Sequence, residues 1–230
     1  MSRSAWTGYA AITLAVWFNI PYAVLAVIFD YPAILRRSAL DVLARFEAGG
    51  AALLLSWYAF ALAALALLPL AVSMAITRQR LAARPALAIG AAIAGALAGV
   101  TQAIGLLRWV FAVPRLAHEA AKGDPAAAAA AAQAFDMLNA YGGVAVGEHL
   151  GQLLTALFVG QVALLQRADS YRRTAVAGFA TAAMLTLGTG EGLAMALEQN
   201  GGIFSLATIA GFLGLTLWLI ASGISLIRRA

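Results

Sequence analysis

Cysteine is absent from the 230 residues. That excludes disulfides, thiolate metal sites and cysteine nucleophiles, and leaves the redox compartment open. Charge is nearly as scarce. Only 11% of the residues are Asp, Glu, Lys or Arg, where a soluble domain carries about a quarter. Lys122 is the sole lysine, and His118 and His149 are the only histidines. No phosphate-binding glycine loop, H-E-x-x-H helix or G-x-S-x-G elbow occurs, so no motif assigns a catalytic residue.

What fills the chain is apolar: 63% of residues are hydrophobic and the mean hydropathy is +0.87. A helix needs about 20 apolar residues to cross the hydrocarbon of a bilayer. Backbone groups in lipid must be satisfied internally, and the Ala- and Leu-rich runs lack the alternation of a barrel strand. The expected fold is therefore all-α, one polytopic transmembrane helix bundle spanning residues 1–230. Six spans are drawn at about 6–29, 50–76, 86–112, 141–165, 173–190 and 202–227. The first follows Ser2-Arg3-Ser4 but is too long for a signal-peptide core and lacks a small-residue cleavage site, so it reads as a retained span.

The formal net charge of +5 does not indicate nucleic acid. The arginines sit at the ends of apolar spans, where they set orientation and meet lipid headgroups. Arg3, Arg78, Arg80, Arg84, Arg167, Arg172, Arg173, Arg228 and Arg229 fall on one side. Fewer fall on the other: Arg36, Arg37, Arg45, Arg115 and Lys122, with Arg108 nearby. The positive-inside rule then places both termini in the cytoplasm of a bacterial inner membrane.

Two further helices are expected not to cross. Ser38 with Asp41 makes a capping-box variant that opens a short interfacial helix, and Gly49-Gly50 stops it. Asp124 and Pro125 are a good N-cap and first residue for a second helix, running to about Ala140. Gly142-Gly143 then separates it from the fourth span, as a break or only as a kink.

The polar residues within the spans gather toward the outer side. Arg108 lies about one turn from the end of span three, and Glu148-His149 about two turns into span four. Glu191 closes span five. An intramembrane charge costs about 2.5–3.5 kcal/mol unless paired or hydrated, which makes Arg108 and Glu148 the expected pair. Gln152 follows Glu148 by one turn and extends a polar stripe inward. In span one, Pro21 removes a backbone donor beside Asn19, which suits a kink facing a cavity. Arg108, Glu148, His149, Gln152, Glu191 and Asn19 are therefore the candidate ligand-binding residues. Each also has a structural reading: a snorkelling arginine, an interhelical ion pair, an interfacial loop carboxylate or a simple kink.

No metal is expected, because adjacent helical residues such as Glu148 and His149 point about 100° apart. His118 is placed in a loop beyond Pro114, which argues against an ordinary bis-histidine haem, and the cofactor is left open. Gly143, Gly147 and Gly151 form a small-residue ridge on span four, and Gly95 with Gly99 forms another on span three.

Two stretches, Arg108-Trp-Val-Phe-Ala-Val-Pro114 and Tyr141-Gly-Gly-Val-Ala-Val-Gly-Glu-His-Leu-Gly151, resemble a bacterial family of small six-span membrane proteins that is described only as a domain of unknown function. The resemblance implies a six-helix fold and a bacterial membrane, and assigns no activity. The leading functional expectation is binding or transport of a small polar or anionic ligand at the outer Arg/Glu/His cluster, within the lipid bilayer and with a homo-oligomer or larger membrane complex as partner. An accessory subunit of such a complex, or an intramembrane lipid-modifying enzyme, are the alternatives.

Overall fold

The computed structural model describes residues 2–230, which are almost entirely helical. Helix α1 covers Arg3–Phe29 and continues through Pro21. A short 3-10 helix, Ala33–Arg36, leads to α2 at Ala39–Ala75. Helix α2 has two parts. Ser38 Oγ accepts the Asp41 amide at 3.2 Å to start a short arm, and Gly50, at φ 58° and ψ −153°, breaks the line before the long segment. That backbone conformation is essentially restricted to glycine, so the expected stop at Gly49-Gly50 is a sharp kink.

A short helix α3, Arg78–Ala83, connects to α4 at Pro85–Phe111. Next comes α5, Val113–Ala121. This corrects the placing of His118 in a loop. Pro114 lies in the first turn, where its missing N–H has no partner to lose, and it starts a helix. Helix α6, Pro125–Leu138, is capped by Asp124 Oδ1 accepting the Ala126 amide at 3.0 Å. It passes without interruption into a π-helix at Asn139–Leu150 and then into α7 at Gly151–Ala168. Gly142-Gly143 thus widens the helix instead of breaking it. Helices α8, Arg172–Gly188, α9, Gly190–Ala196, and α10, Gly202–Arg228, complete the chain.

Among the described residues, five helices are long and apolar enough to cross a membrane: Arg3–Phe29, Ala39–Ala75, Pro85–Ala121, Pro125–Ala168 and Gly202–Arg228. Their outer faces carry large apolar side chains such as Val27, Ile203 and Leu217, the pattern of a surface that meets lipid. The protein is a membrane-embedded helix bundle.

Six helices form a closed ring. Helix α1 packs on α2, α2 on α4, α4 on α7, α7 on α8, α8 on α10, and α10 returns to α1. The seam between first and last is tight: a Cβ on Gly8 would lie 2.6 Å from the Gly223 carbonyl oxygen. At the end carrying both termini, Leu14, Leu67, Leu70, Phe158, Trp218 and Leu219 fill the ring. Arg80 is buried there and donates to Asp169 at 2.7 Å and to the Met74 carbonyl. Arg3 donates to the Ile76 carbonyl at 3.2 Å, and Arg229 stacks on Tyr171 at 4.1 Å. Toward the opposite end, Phe29, Phe46, Trp57, Trp109 and Phe135 build a separate aromatic core against the arm of α2, α5 and α6. The Trp57 and Trp109 rings stack at 4.7 Å and 8°. The centre of the ring at that end is not filled.

Candidate functional site

The unfilled space is a cavity of about 480 Å³, within the range of small-molecule sites. All six ring helices contribute to its wall. Asn19, Arg108, Glu148, His149, Gln152 and Glu191, from five helical elements, all line it. They differ in what their polar atoms are doing.

Arg108 is 8% exposed. Its guanidinium donates to the Gly105 carbonyl and, at 2.9 Å, to Asn139 Oδ1, where the π-helix begins. Gly143 makes room for it, since a Cβ at that position would lie 2.6 Å from an Arg108 Nη atom. The expected ion pair with Glu148 is not formed: among the described residues, neither takes part in any salt bridge. Arg108 is instead a cross-link between α4 and the π-helix. The backbones of those two elements touch, with a Cβ on Gly105 falling 2.6 Å from the Gly147 Cα. The ridge of Gly143, Gly147 and Gly151 therefore does face α4. Gly99, in contrast, faces the α2 backbone at Ala64 and Leu68.

Glu148 has an exposed side chain, and the cavity is the space it lines. No hydrogen-bond partner reaches it from the described residues. His149 Nδ1 lies 3.0 Å from the Thr189 carbonyl oxygen. A carbonyl only accepts, so this contact assigns the ring proton to Nδ1 and leaves Nε2 as a free acceptor in the neutral form. Glu191 pairs with Arg36 at the rim, tying α9 to the 3-10 helix. Asn19 and Gln152 direct their amide nitrogens into the protein. Asn19 donates to the Ala15 carbonyl at 2.7 Å, and Gln152 to the Leu185 carbonyl at 3.0 Å.

Three contributors were not anticipated. Asn139 holds Arg108, Arg36 holds Glu191, and Tyr31 enters the wall from the connection after α1. Burial raises the Tyr31 phenol above its ordinary pKa, and the Glu148 carboxylate adds to that rise. The phenol therefore stays protonated and able to donate. No local pattern marks these residues, because their partners lie far along the chain. Of the three, only Asn139, a polar side chain three residues before Gly142, carries a signal in the sequence.

The arrangement can hold one polar group against Glu148 and His149, with aromatic rings around the remainder. Among the described residues, no group of three or more His, Cys, Asp or Glu side chains is placed to hold a metal ion. No curated protein and no solved structure matches the chain significantly. Residues 6–223 match the family described as Domain of unknown function (DUF4386), which covers nearly the whole sequence, and the chain belongs to that family.

Proposed function

We propose that the protein binds or carries a small polar ligand in the central cavity, within a bacterial inner membrane. The carrying observation is that Glu148 lines a cavity of about 480 Å³ and pairs with no other side chain among the described residues. An ionisable group at membrane depth with no structural partner is a functional candidate by default. His149 adds a free nitrogen beside it, while Arg108, Gln152 and Asn19 hold the wall together. Glu191 and Arg36 close the rim.

In this reading α8 is the sixth crossing. Its 17 residues reach about 25 Å at 1.5 Å per residue, and it packs between α7 and α10. The arginine-rich end with both termini faces the cytoplasm, following the positive-inside rule, and the cavity opens toward the outside.

Native mass spectrometry of protein gently extracted from its own host tests this. The expected result is a bound small molecule on the 23.7 kDa chain that is lost in Glu148→Ala. A bare chain in both samples, or added mass from another polypeptide alone, would count against ligand binding and favour an accessory subunit.

A further inference from the structure

The hydrogen-bonding polarity of the cavity identifies the class of ligand. Three side-chain amides line it, and each turns its nitrogen toward the protein. Asn19 Nδ2 donates to the Ala15 carbonyl at 2.7 Å and to Thr216 Oγ1 at 3.1 Å. Gln152 Nε2 donates to the Leu185 carbonyl at 3.0 Å and to Thr208 Oγ1 at 3.2 Å. Gln102 Nε2 donates to Thr155 Oγ1 at 2.7 Å.

The threonines fix these orientations. Thr216 gives its hydroxyl proton to the Phe212 carbonyl at 3.1 Å, Thr208 to Gly188 at 3.2 Å, and Thr155 to Gly151 at 2.7 Å. A hydroxyl has one proton, so each of these oxygens can only accept from the amide it meets. The amide nitrogen must face the threonine, and the amide oxygen is left without a partner among the described residues. Two stronger acceptors join these three oxygens, the Glu148 carboxylate and His149 Nε2. The Arg108 guanidinium donates to Gly105 and Asn139, and Arg36 to Glu191. Two donors of wall residues, Arg108 Nε and Trp57 Nε1, have no partner among the described residues, but both atoms are enclosed and do not reach the cavity surface. The hydroxyls of Tyr22, Tyr31 and Ser205 serve in either sense.

The remaining wall is aromatic. Phe18 meets Phe60 edge-on at 6.0 Å, Tyr22 meets Tyr31 at 5.6 Å, and Tyr31 meets Trp57 at 5.2 Å. All five rings line the cavity, and ring faces attract cations. An anion would have to compete with Glu191 for Arg36 and with Asn139 for Arg108, whereas a cation finds a carboxylate, neutral acceptors and π faces.

We propose that the ligand is a protonated organic amine, whose N–H groups donate to Glu148 and His149 Nε2 while its apolar substituent rests on the aromatic wall. This rests on reading the cavity as a small-ligand site; it narrows the polar class to cations and sets aside the anionic ligand expected from the sequence.

The test uses the full chain in lipid nanodiscs, with empty nanodiscs to subtract partitioning, and follows quenching of the cavity tryptophans. Three probes of like size are titrated at neutral pH: phenethylamine, phenethyl alcohol and hydrocinnamate. The amine is expected to bind about tenfold or more tightly than either analogue, the value of a charge-assisted hydrogen bond. Glu148→Gln should remove that preference, with His118→Gln as a control outside the cavity. Glu148→Asp should keep part of it, and the wild-type comparison stands even if a variant fails to fold. Tighter binding of the alcohol or the carboxylate, or an amine preference that survives Glu148→Gln, overturns the cationic assignment and leaves the small-ligand site standing. Binding of none of the three overturns both.

Discussion

Gly105 and Gly147 meet backbone to backbone, so closely that a Cβ on Gly147 would lie 2.8 Å from the Gly105 Cα. Both atoms belong to rigid helices, so neither can step aside as a flexible side chain would. The contact sets how near the π-helix comes to α4, and thereby where Arg108 and Glu148 stand in the cavity wall.

A larger residue at this contact should force the two elements apart. Gly105→Leu is expected to destabilise the fold by about 1–3 kcal/mol, the cost of overpacking. It should also abolish binding of whatever ligand the wild-type cavity retains. Denaturant unfolding in detergent, paired with ligand retention by native mass spectrometry, checks both effects. Unchanged stability would mean that the helices are not in contact there.

Arg108 and Glu148 should respond in opposite ways to neutralisation. Arg108→Leu leaves Asn139 Oδ1 and the Gly105 carbonyl without their donor, and should cost about 2–4 kcal/mol. Glu148→Gln removes no protein contact and should change stability by less than about 1 kcal/mol. Equal losses in the two variants would show that they act as an ion pair after all.

Two arginine–carboxylate pairs at opposite ends of the bundle, Arg80–Asp169 and Arg36–Glu191, should be unequal. Arg80 is 7% exposed, so Asp169→Ala strands a buried charge and should cost about 3 kcal/mol. The Arg36 side chain is 55% exposed, so Arg36→Ala should cost less than about 1 kcal/mol. Melting temperatures of the two variants, measured side by side, decide the matter. A larger loss for Arg36→Ala would reverse the assignment of structural weight.

The axial layout of the bundle is legible in the amino-acid sequence because length and hydropathy carry it. The ends of α1, α4 and α10 lie within a few residues of the apolar runs, and Gly49-Gly50 announces the kink in α2. Depth along the helix axis is likewise readable, and it gathers Arg108, Glu148, His149 and Glu191 at one end. The angle around the axis is not. Shared depth and opposite charge make Glu148 the expected partner of Arg108, but the stretch from Asn139 to Leu150 is wound as a π-helix. Its wider turn changes which way each side chain points, and Asn139 takes the place beside Arg108. Helix α5 was missed for a related reason, since Pro114 ends one helix and opens another within three residues.

The seam between Gly8 and Gly223 has a consequence for biosynthesis. Helix α1 is made first and α10 last, so the ring stands open while the helices between them enter the bilayer. Asn19 waits without Thr216, and Gln152 without Thr208, until α10 arrives. The cavity and its acceptor lining thus come into being in one late step, and a nascent chain that stalls before α10 has no enclosed cavity.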